Sequence, residues 1–388
     1  MLRDTIFSPA FGNRPSCLVG REGVLKGLCE GLQTAPGRKE RSTVLLGQRG
    51  SGKTVLLWEL AERASELGFV VATPTIVSEG MLARIVEKIQ DAGSRFVGDV
   101  APRISGGSFG AFGFEVGLEF SRDVQETKSE QFKLTQLARK LSGQGRGILI
   151  LVDELQANSV DVRELVSVYQ ELVGEGLDVA LVMAGLPGAV SATLNDRVLT
   201  FLNRANKVTL GPLASLDVEA FYADAFERLG VGIAPEQISR ATEATKGSPY
   251  LMQLVGHGLV LRANEGGLVS DEAFDEAIGA AGREFENDVC ETTLAALSDM
   301  DVNFLRAMVA DGEQSTTAGV AERLGVTTDY AQKYRKRLID AGVIESAGWG
   351  KIRICVPLLA DYLRGERWRP PAARGADCFA CKSVSSGA

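Results

Sequence analysis

The chain is poor in histidine and cysteine. One histidine, His257, and six cysteines are spread over 388 residues. A disulfide scaffold packs its cysteines densely into a short chain, so these sparse thiols point to a reducing, cytoplasmic setting. Cys378-Phe-Ala-Cys381 has neither a second pair nor a nearby histidine to complete a zinc site. Long apolar runs are also missing. The longest, 148–152 and 179–186, fall far short of the roughly 20 residues of a membrane helix, so no membrane partner is expected. Met1-Leu2-Arg3-Asp4 lacks the apolar centre of a secretory signal. Positive charge is in deficit, with a net charge of −8, so the surface as a whole does not advertise nucleic-acid binding. The deficit is uneven. Residues 265–301 hold eleven acids against one arginine, whereas 330–369 hold nine Lys/Arg against four acids. A local basic face can bind phosphate even on an acidic protein.

What the chain does have is an ordinary globular composition and a length suited to two or three domains. It also has one strong motif. Gly47-Gln48-Arg49-Gly50-Ser51-Gly52-Lys53-Thr54 is an uninterrupted G-x-x-x-x-G-K-[ST] loop. Val44-Leu45-Leu46 precedes it as a short strand, and Val55 opens a stretch of helical spacing over 55–67. Strand, glycine loop and helix are the order this loop requires. The glycines let successive N–H groups face a triphosphate, and the helix start adds its positive end. Lys53 is expected on the β- and γ-phosphates of ATP and Thr54 on Mg²⁺. Ile148-Leu149-Ile150-Leu151-Val152 reads as a strand buried on both faces, ending in Asp153-Glu154. Acids at the carboxyl end of such a strand suit Mg²⁺ binding by Asp153 and activation of water by Glu154. With 69–72 and 178–185 as further strands, the expectation is a doubly wound α/β P-loop fold with a parallel sheet.

These motifs carry a family resemblance. Leu18-Val19-Gly20-Arg21-Glu22, then the phosphate loop, then Leu151-Val152-Asp153-Glu154, resembles AAA+ ATPases of the origin-recognition/initiator type. It is also similar to the related signal-transduction ATPases with numerous domains. The resemblance spans about residues 18–260. It implies an α-helical lid, with Val19, Gly20 and Arg21 against the adenine. It further implies Arg204 as a transition-state arginine, in cis or across a homo-oligomer interface. Thr245-Lys246-Gly247-Ser248-Pro249-Tyr250 resembles the segment that closes the lid, with Pro249 at a helix start. The chain departs from the pattern at Met183-Ala184-Gly185-Leu186, where many AAA+ enzymes place Asn or Thr, and the lid helix has no early arginine. Slow, partner-stimulated hydrolysis is therefore expected. His257 is expected to be a packed residue. A P-loop kinase is disfavoured, because Asp153-Glu154 suits water activation.

Residues 296–365 have the organisation of a winged helix. Helices are expected over 301–309, 317–324 and 330–341, the third capped by Thr328 or Asp329. Ala331, Tyr334, Leu338 and Ala341 share its inner face. Gln332, Lys333, Arg335, Lys336 and Arg337 point outward, and a two-stranded wing adds Lys351 and Arg353. This suits double-stranded DNA, with the lysines on phosphates. The alternative is a module that holds protein partners. The expected organisation is a core over 1–211 with an insertion near 75–146, a lid over 212–289, a winged helix-turn-helix over 290–369 and a disordered tail over 370–388. Within the insertion, 103–123 reads as a glycine- and phenylalanine-rich hairpin or flap decorating the surface.

Overall fold

The computed structural model describes residues 4–10, 17–96, 114–116, 118–156, 158–194 and 200–365. Helix α1 (Glu22–Leu32) leads to β1 (Ser42–Leu46), the phosphate loop and α2 (Lys53–Glu66). Then come β2 (Val70–Ile76) and α3 (Met81–Ser94), the small strands β3 (Phe114–Val116) and β4 (Glu119–Phe120), and helices α4 (Arg122–Thr127) and α5 (Glu130–Ser142). The sheet resumes with β5 (Ile148–Leu155), α6 (Val160–Gly174), β6 (Val179–Gly185), α7 (Pro187–Leu194) and β7 (Asn206–Thr209). The five long strands are parallel in the order β2-β5-β6-β1-β7. Their apolar runs alternate between two layers. Ile148, Ile150 and Val152 pack with α3, α5 and α6, whereas Leu149 and Leu151 pack with α1 and α2. A strand covered on both faces has no place for polar alternation, which is why these segments are unbroken apolar runs.

The insertion is not mere surface decoration. β3 and β4 form the expected antiparallel hairpin, but Leu118 and Phe120 are buried with Leu82, Ile85 and Leu137. Gln90 donates to the Leu118 carbonyl at 2.8 Å. Buried Leu118 and Phe120 alternate with exposed Glu119, as in a half-buried strand. Phe109, Phe112 and the Gly106-Gly107 turn lie outside the described residues.

Four lid helices follow: α8 (Ser215–Leu229), α9 (Pro235–Ala244), α10 (Pro249–Arg262) and α11 (Asp271–Phe285). A six-residue π segment, Glu286–Glu291, continues α11 into α12 (Thr292–Ala295). The C-terminal module contains α13 (Asp299–Val309), β8 (Ser315–Thr316), α14 (Thr317–Leu324), α15 (Thr328–Asp340), β9 (Ile344–Ser346), β10 (Lys351–Ile354) and α16 (Leu359–Arg364). Its strands form an antiparallel sheet β8-β10-β9, an arrangement compatible with a winged helix. The cap of α15 is Thr327, whose side chain accepts from the Tyr330 amide; Thr328 and Asp329 already lie inside the helix. Ala331 and Leu338 are buried as expected, while Tyr334 and Ala341 are only half-buried. The segment 370–388, with Cys378 and Cys381, lies outside the described residues. Among the described residues, no helix is long and apolar enough to cross a membrane.

One packing feature was not expected. The lid and the C-terminal module share a single continuous cluster of buried residues, running from Tyr222 and Phe226 through Phe285 and Val289 to Phe304, Leu338 and Ile352. The N-terminal segment belongs to it. Phe7 sits against Phe221, Tyr222 and Phe226, and Gly256 has no Cβ to obstruct its ring. Asp4 accepts from the Ile6 and Phe7 amides and lies 2.6 Å from His257 Nδ1. The Ser8 amide donates to Gln253 at 2.8 Å. The sole histidine is therefore a packed, partnered residue that ties this strap to α10.

Candidate nucleotide-binding site

The parallel register brings the motif residues to one edge. Leu46, the last residue of β1, lies opposite Gly185 of β6 and Thr209 of β7. The next residue begins the phosphate loop. Gly50 and Gly52 take φ of +72° and +86°, which side chains rarely adopt, and let the loop curl into the start of α2. Lys53 Nζ donates to the Gly47 and Gln48 carbonyls at 2.8 and 2.7 Å, spanning the loop. Burial lowers its pKa from the usual 10.5 to about 8, against the opposing pull of Asp153 and Glu154. A buried ammonium with no bound anion is costly, and a phosphate there would favour its charged form. Ser51 Oγ is buried without a hydrogen-bond partner among the described residues. The loop thus holds a desolvated cation and an unmatched hydroxyl, a donor set that fits a triphosphate.

The acids sit on a bulge. Val152 pairs with Met183 and Leu155 with Gly185, so Asp153 and Glu154 together face the single residue Ala184. Bulges re-aim side chains at sites of function. Glu154 has φ +54°, a conformation costing about 1 kcal/mol or more for a residue with a side chain. Its side chain is exposed, whereas Asp153 is buried. Thr54 Oγ1 donates to Asp153 Oδ2 at 2.6 Å, and the Glu154 amide donates to Asp153 Oδ1 at 2.9 Å. Thr54 and Asp153 therefore face one another as an oxygen pair suited to a hard divalent cation. The missing polar residue at the end of β6 has a steric reason. A Cβ on Gly185 would lie 2.8 Å from the Leu155 Cβ, so the bulge leaves no room there.

The lid turn reaches this edge from the far side. Ser248 caps α10 by accepting from the Leu251 amide, with Pro249 at the first position. A Cβ on Gly52 would lie 3.7 Å from Pro249 Cγ, and one on Gly50 would lie 3.3 Å from the Tyr250 Cβ. The expected lid segment thus rests on the phosphate loop. Tyr250, which the motifs did not single out, also bonds Asp288 of the π segment at 2.5 Å. The Val19-Gly20-Arg21 box lies at the sheet-to-lid connection. Val19 joins the lid cluster, and a Cβ on Gly20 would lie 2.8 Å from Asp217 of α8. Arg21 is buried and donates to the Gly211 carbonyl. Burial lowers its pKa, with Asp217 opposing. Its guanidinium thus faces the connection itself.

Arg204 is not brought to this edge. It ends a 3₁₀ turn two residues before Asn206, which pairs with Thr43 near the start of β1. That is the opposite edge of the parallel sheet from the phosphate loop. The C-terminal module, by contrast, reaches the phosphate loop. The Cys355 thiol, which donates to the Gly342 carbonyl at 3.6 Å, lies beside Gln48, and burial and Glu345 push its pKa up to about 12. Gly188 of α7 lies so close to the Asp340 carbonyl that a Cβ would overlap it, and a Cβ on Gly342 would lie 3.1 Å from Pro187. Arg49, Leu186, Val289, Thr293 and Val356 line a cleft of about 110 Å³ between the two. Glycines at 188 and 342 were the only sequence signal of this docking, and nothing in their neighbourhood marks them.

On the face expected from the sequence to meet DNA, Gln332, Lys333, Lys336 and Arg337 of α15 are exposed and Arg335 is half-buried. Arg337 pairs with Asp301 at 2.7 Å, and Arg353 with Glu345 at 2.5 Å. Lys351 is exposed on β10.

The comparisons agree with this geometry. Residues 17–182 match the family described as AAA ATPase domain. That stretch resembles an AAA ATPase domain. Residues 287–363 match a family described as a domain of unknown function (DUF8462). Solved structures of similar fold cover most of the chain. The ORC2 protein of Aeropyrum pernix, in its ADPNP–ADP complexes, superposes with a TM-score of 0.63 at 16% identity, covering 92% of this chain and 95% of that one. The Walker-type ATPase paby2304 of Pyrococcus abyssi gives 0.62 at 17% identity, covering 90% and 97%. No curated protein matches the sequence.

Proposed function

We propose that the chain is an ATP-dependent switch that hydrolyses ATP slowly and presents its C-terminal module to double-stranded DNA. One observation carries the reading: the C-terminal module packs beside the phosphate loop, with Asp340 against Gly188 and Val356 lining one cleft with Arg49. A ligand shifts an equilibrium only by contacting its states differently. A nucleotide between the phosphate loop and Pro249-Tyr250 touches both bodies, so the angle between them depends on what is bound. The A. pernix protein of this fold was solved with ADPNP and ADP, which favours an adenine nucleotide here.

In this reading Lys53 leaves the Gly47 and Gln48 carbonyls for the phosphates. Thr54 and Asp153 hold Mg²⁺, which neutralises phosphate charge. Glu154 orients the attacking water and takes its proton. Val19 and Gly20 border the base, and Pro249 closes over the phosphates. No polar side chain at 184–185 positions the water, so turnover is slow without a partner. Arg204 acts only across subunits of a homo-oligomer. Lys333, Lys336 and Lys351 bind DNA phosphates, with Gln332 and Arg335 towards bases.

The ion pairs of Arg337 and Arg353 favour a second reading, in which the module binds a protein partner. Duplex affinity measured with ATP, with ADP and without nucleotide decides between them, with Lys53→Ala as control. The switch reading expects ATP and ADP to differ about 5- to 150-fold, a coupling typical of allosteric proteins. Equal affinities in all three would refute the coupling, and no duplex affinity at low salt would refute the DNA reading.

A further inference from the structure

The wing ends in an unusual residue. Trp349 is fully exposed, at 102% of the reference area, and is the most exposed large apolar side chain among the described residues. It is held there. Gly348 and Gly350 take φ of +118° and +69°, and the turn is closed by Lys351 donating to the Gly348 carbonyl at 3.2 Å. Ala347 donates to Lys351 at 3.0 Å, and the Thr317 amide reaches the Gly350 carbonyl at 3.4 Å, tying the tip to α14. The indole is therefore pre-positioned in water by a braced turn. A free aromatic ring of this size leaves a large apolar area uncovered, and its natural complement is a flat surface.

The charge nearby selects the partner. Lys351, two residues later, opens β10 with its side chain exposed, and α15, which packs on this wing, exposes Lys333 and Lys336. A flat ring two residues from an exposed ammonium, on a module with further exposed lysines, matches an unpaired base flanked by phosphates. We infer that Trp349 is a base-stacking residue, so that the wing selects DNA in which a duplex adjoins an unpaired base. The inference rests on the DNA reading above and deepens it. A fully paired duplex offers the indole only a stack that must first be opened, which costs a few kcal/mol per step. A base already unstacked carries no such cost.

The test uses the full chain and three DNAs of equal length at low salt: a blunt duplex, a duplex with a central unpaired bubble, and a duplex with a single-stranded overhang. Wild type should bind the bubble and the overhang roughly 5- to 100-fold more tightly than the blunt duplex, the range of one stacked base. Trp349→Ala should erase that preference and leave blunt-duplex and ATP binding unchanged, while Trp349→Phe should retain much of it. Indole emission should be quenched by the bubble DNA in wild type and far less in Trp349→Ala. If Trp349→Ala keeps the full preference, the stacking role is overturned while the DNA reading stands. If wild type binds none of the three DNAs, both fall. If Trp349→Ala instead loses binding to phosphatidylserine vesicles and nothing else, the ring serves a lipid surface and the inference is overturned.

Discussion

The two bodies that meet at the phosphate loop are built on different plans. The sheet body, roughly 17–211, has two apolar layers on either side of five parallel strands. The other body has one apolar cluster that takes in the N-terminal strap, the lid and the C-terminal module together. A mechanical division therefore falls at the sheet-to-lid connection near Gly211, not between the lid and the C-terminal module. Close contacts across it include Tyr250 on Gly50, Pro249 on Gly52, Pro187 on Gly342 and Asp340 on Gly188. Large cores move as units and small interfaces re-pack, so this is where a nucleotide has leverage.

Four experiments sharpen or break that comparison. The largest effect lies in the sheet body. Glu154→Gln should lower ATP turnover by about 10²–10⁴-fold while ATP binding persists, if water activation belongs to the bulge. Unchanged turnover in a phosphate-release assay would move the base elsewhere. The second tests the unity of the other body. Phe7→Ala empties a buried aromatic site and should cost about 3–5 kcal/mol. That loss should appear in denaturant melts of the lid and C-terminal module together. Loss confined to the first residues would mean the strap is peripheral.

The third tests the small interface. Gly188→Ala places a methyl on the Asp340 carbonyl and should cost about 1–3 kcal/mol of docking. Faster amide exchange in α7 and at the end of α15, with α10 unchanged, would be the signature. The smallest effect concerns Lys53. Its lowered pKa of about 8 means that below pH 8 the ammonium that phosphate binds is already present, so ATP affinity should be flat there. Above pH 8 binding must restore a proton, and affinity should fall by up to about tenfold per pH unit. Calorimetry in two buffers of different ionisation enthalpy would register that proton uptake. A flat profile to pH 10 would show that Lys53 is not on the phosphates.

Much of the sheet body could be read from the chain. Strands 44–46, 148–154 and 178–185 were legible because a strand covered on both faces must be apolar throughout. Gly50, Gly52, Lys53 and Asp153 were legible because phosphate and Mg²⁺ chemistry admits few residue types in one order. The outward face of α15 followed from helical spacing. Less visible were the burial of Leu118 and Phe120, the Thr327 cap and the opposite-edge position of Arg204. Each depends on what lies across from the residue, not beside it in sequence. Arg204 shows this best: its neighbours resemble a finger segment, and only the pairing of Asn206 with Thr43 tells which edge it occupies.

The sequence by itself determined the chemistry that the phosphate-loop edge offers, since that edge is written in contiguous residues whose backbone freedom and charge are local properties. Tertiary structure alone decided what the edge is coupled to. The strap on α10, the cluster joining lid to C-terminal module, and the two glycines that let α7 approach α15 are contacts between residues distant in the chain. Their sequence cost is a few small or apolar side chains, and such residues look the same wherever they pack.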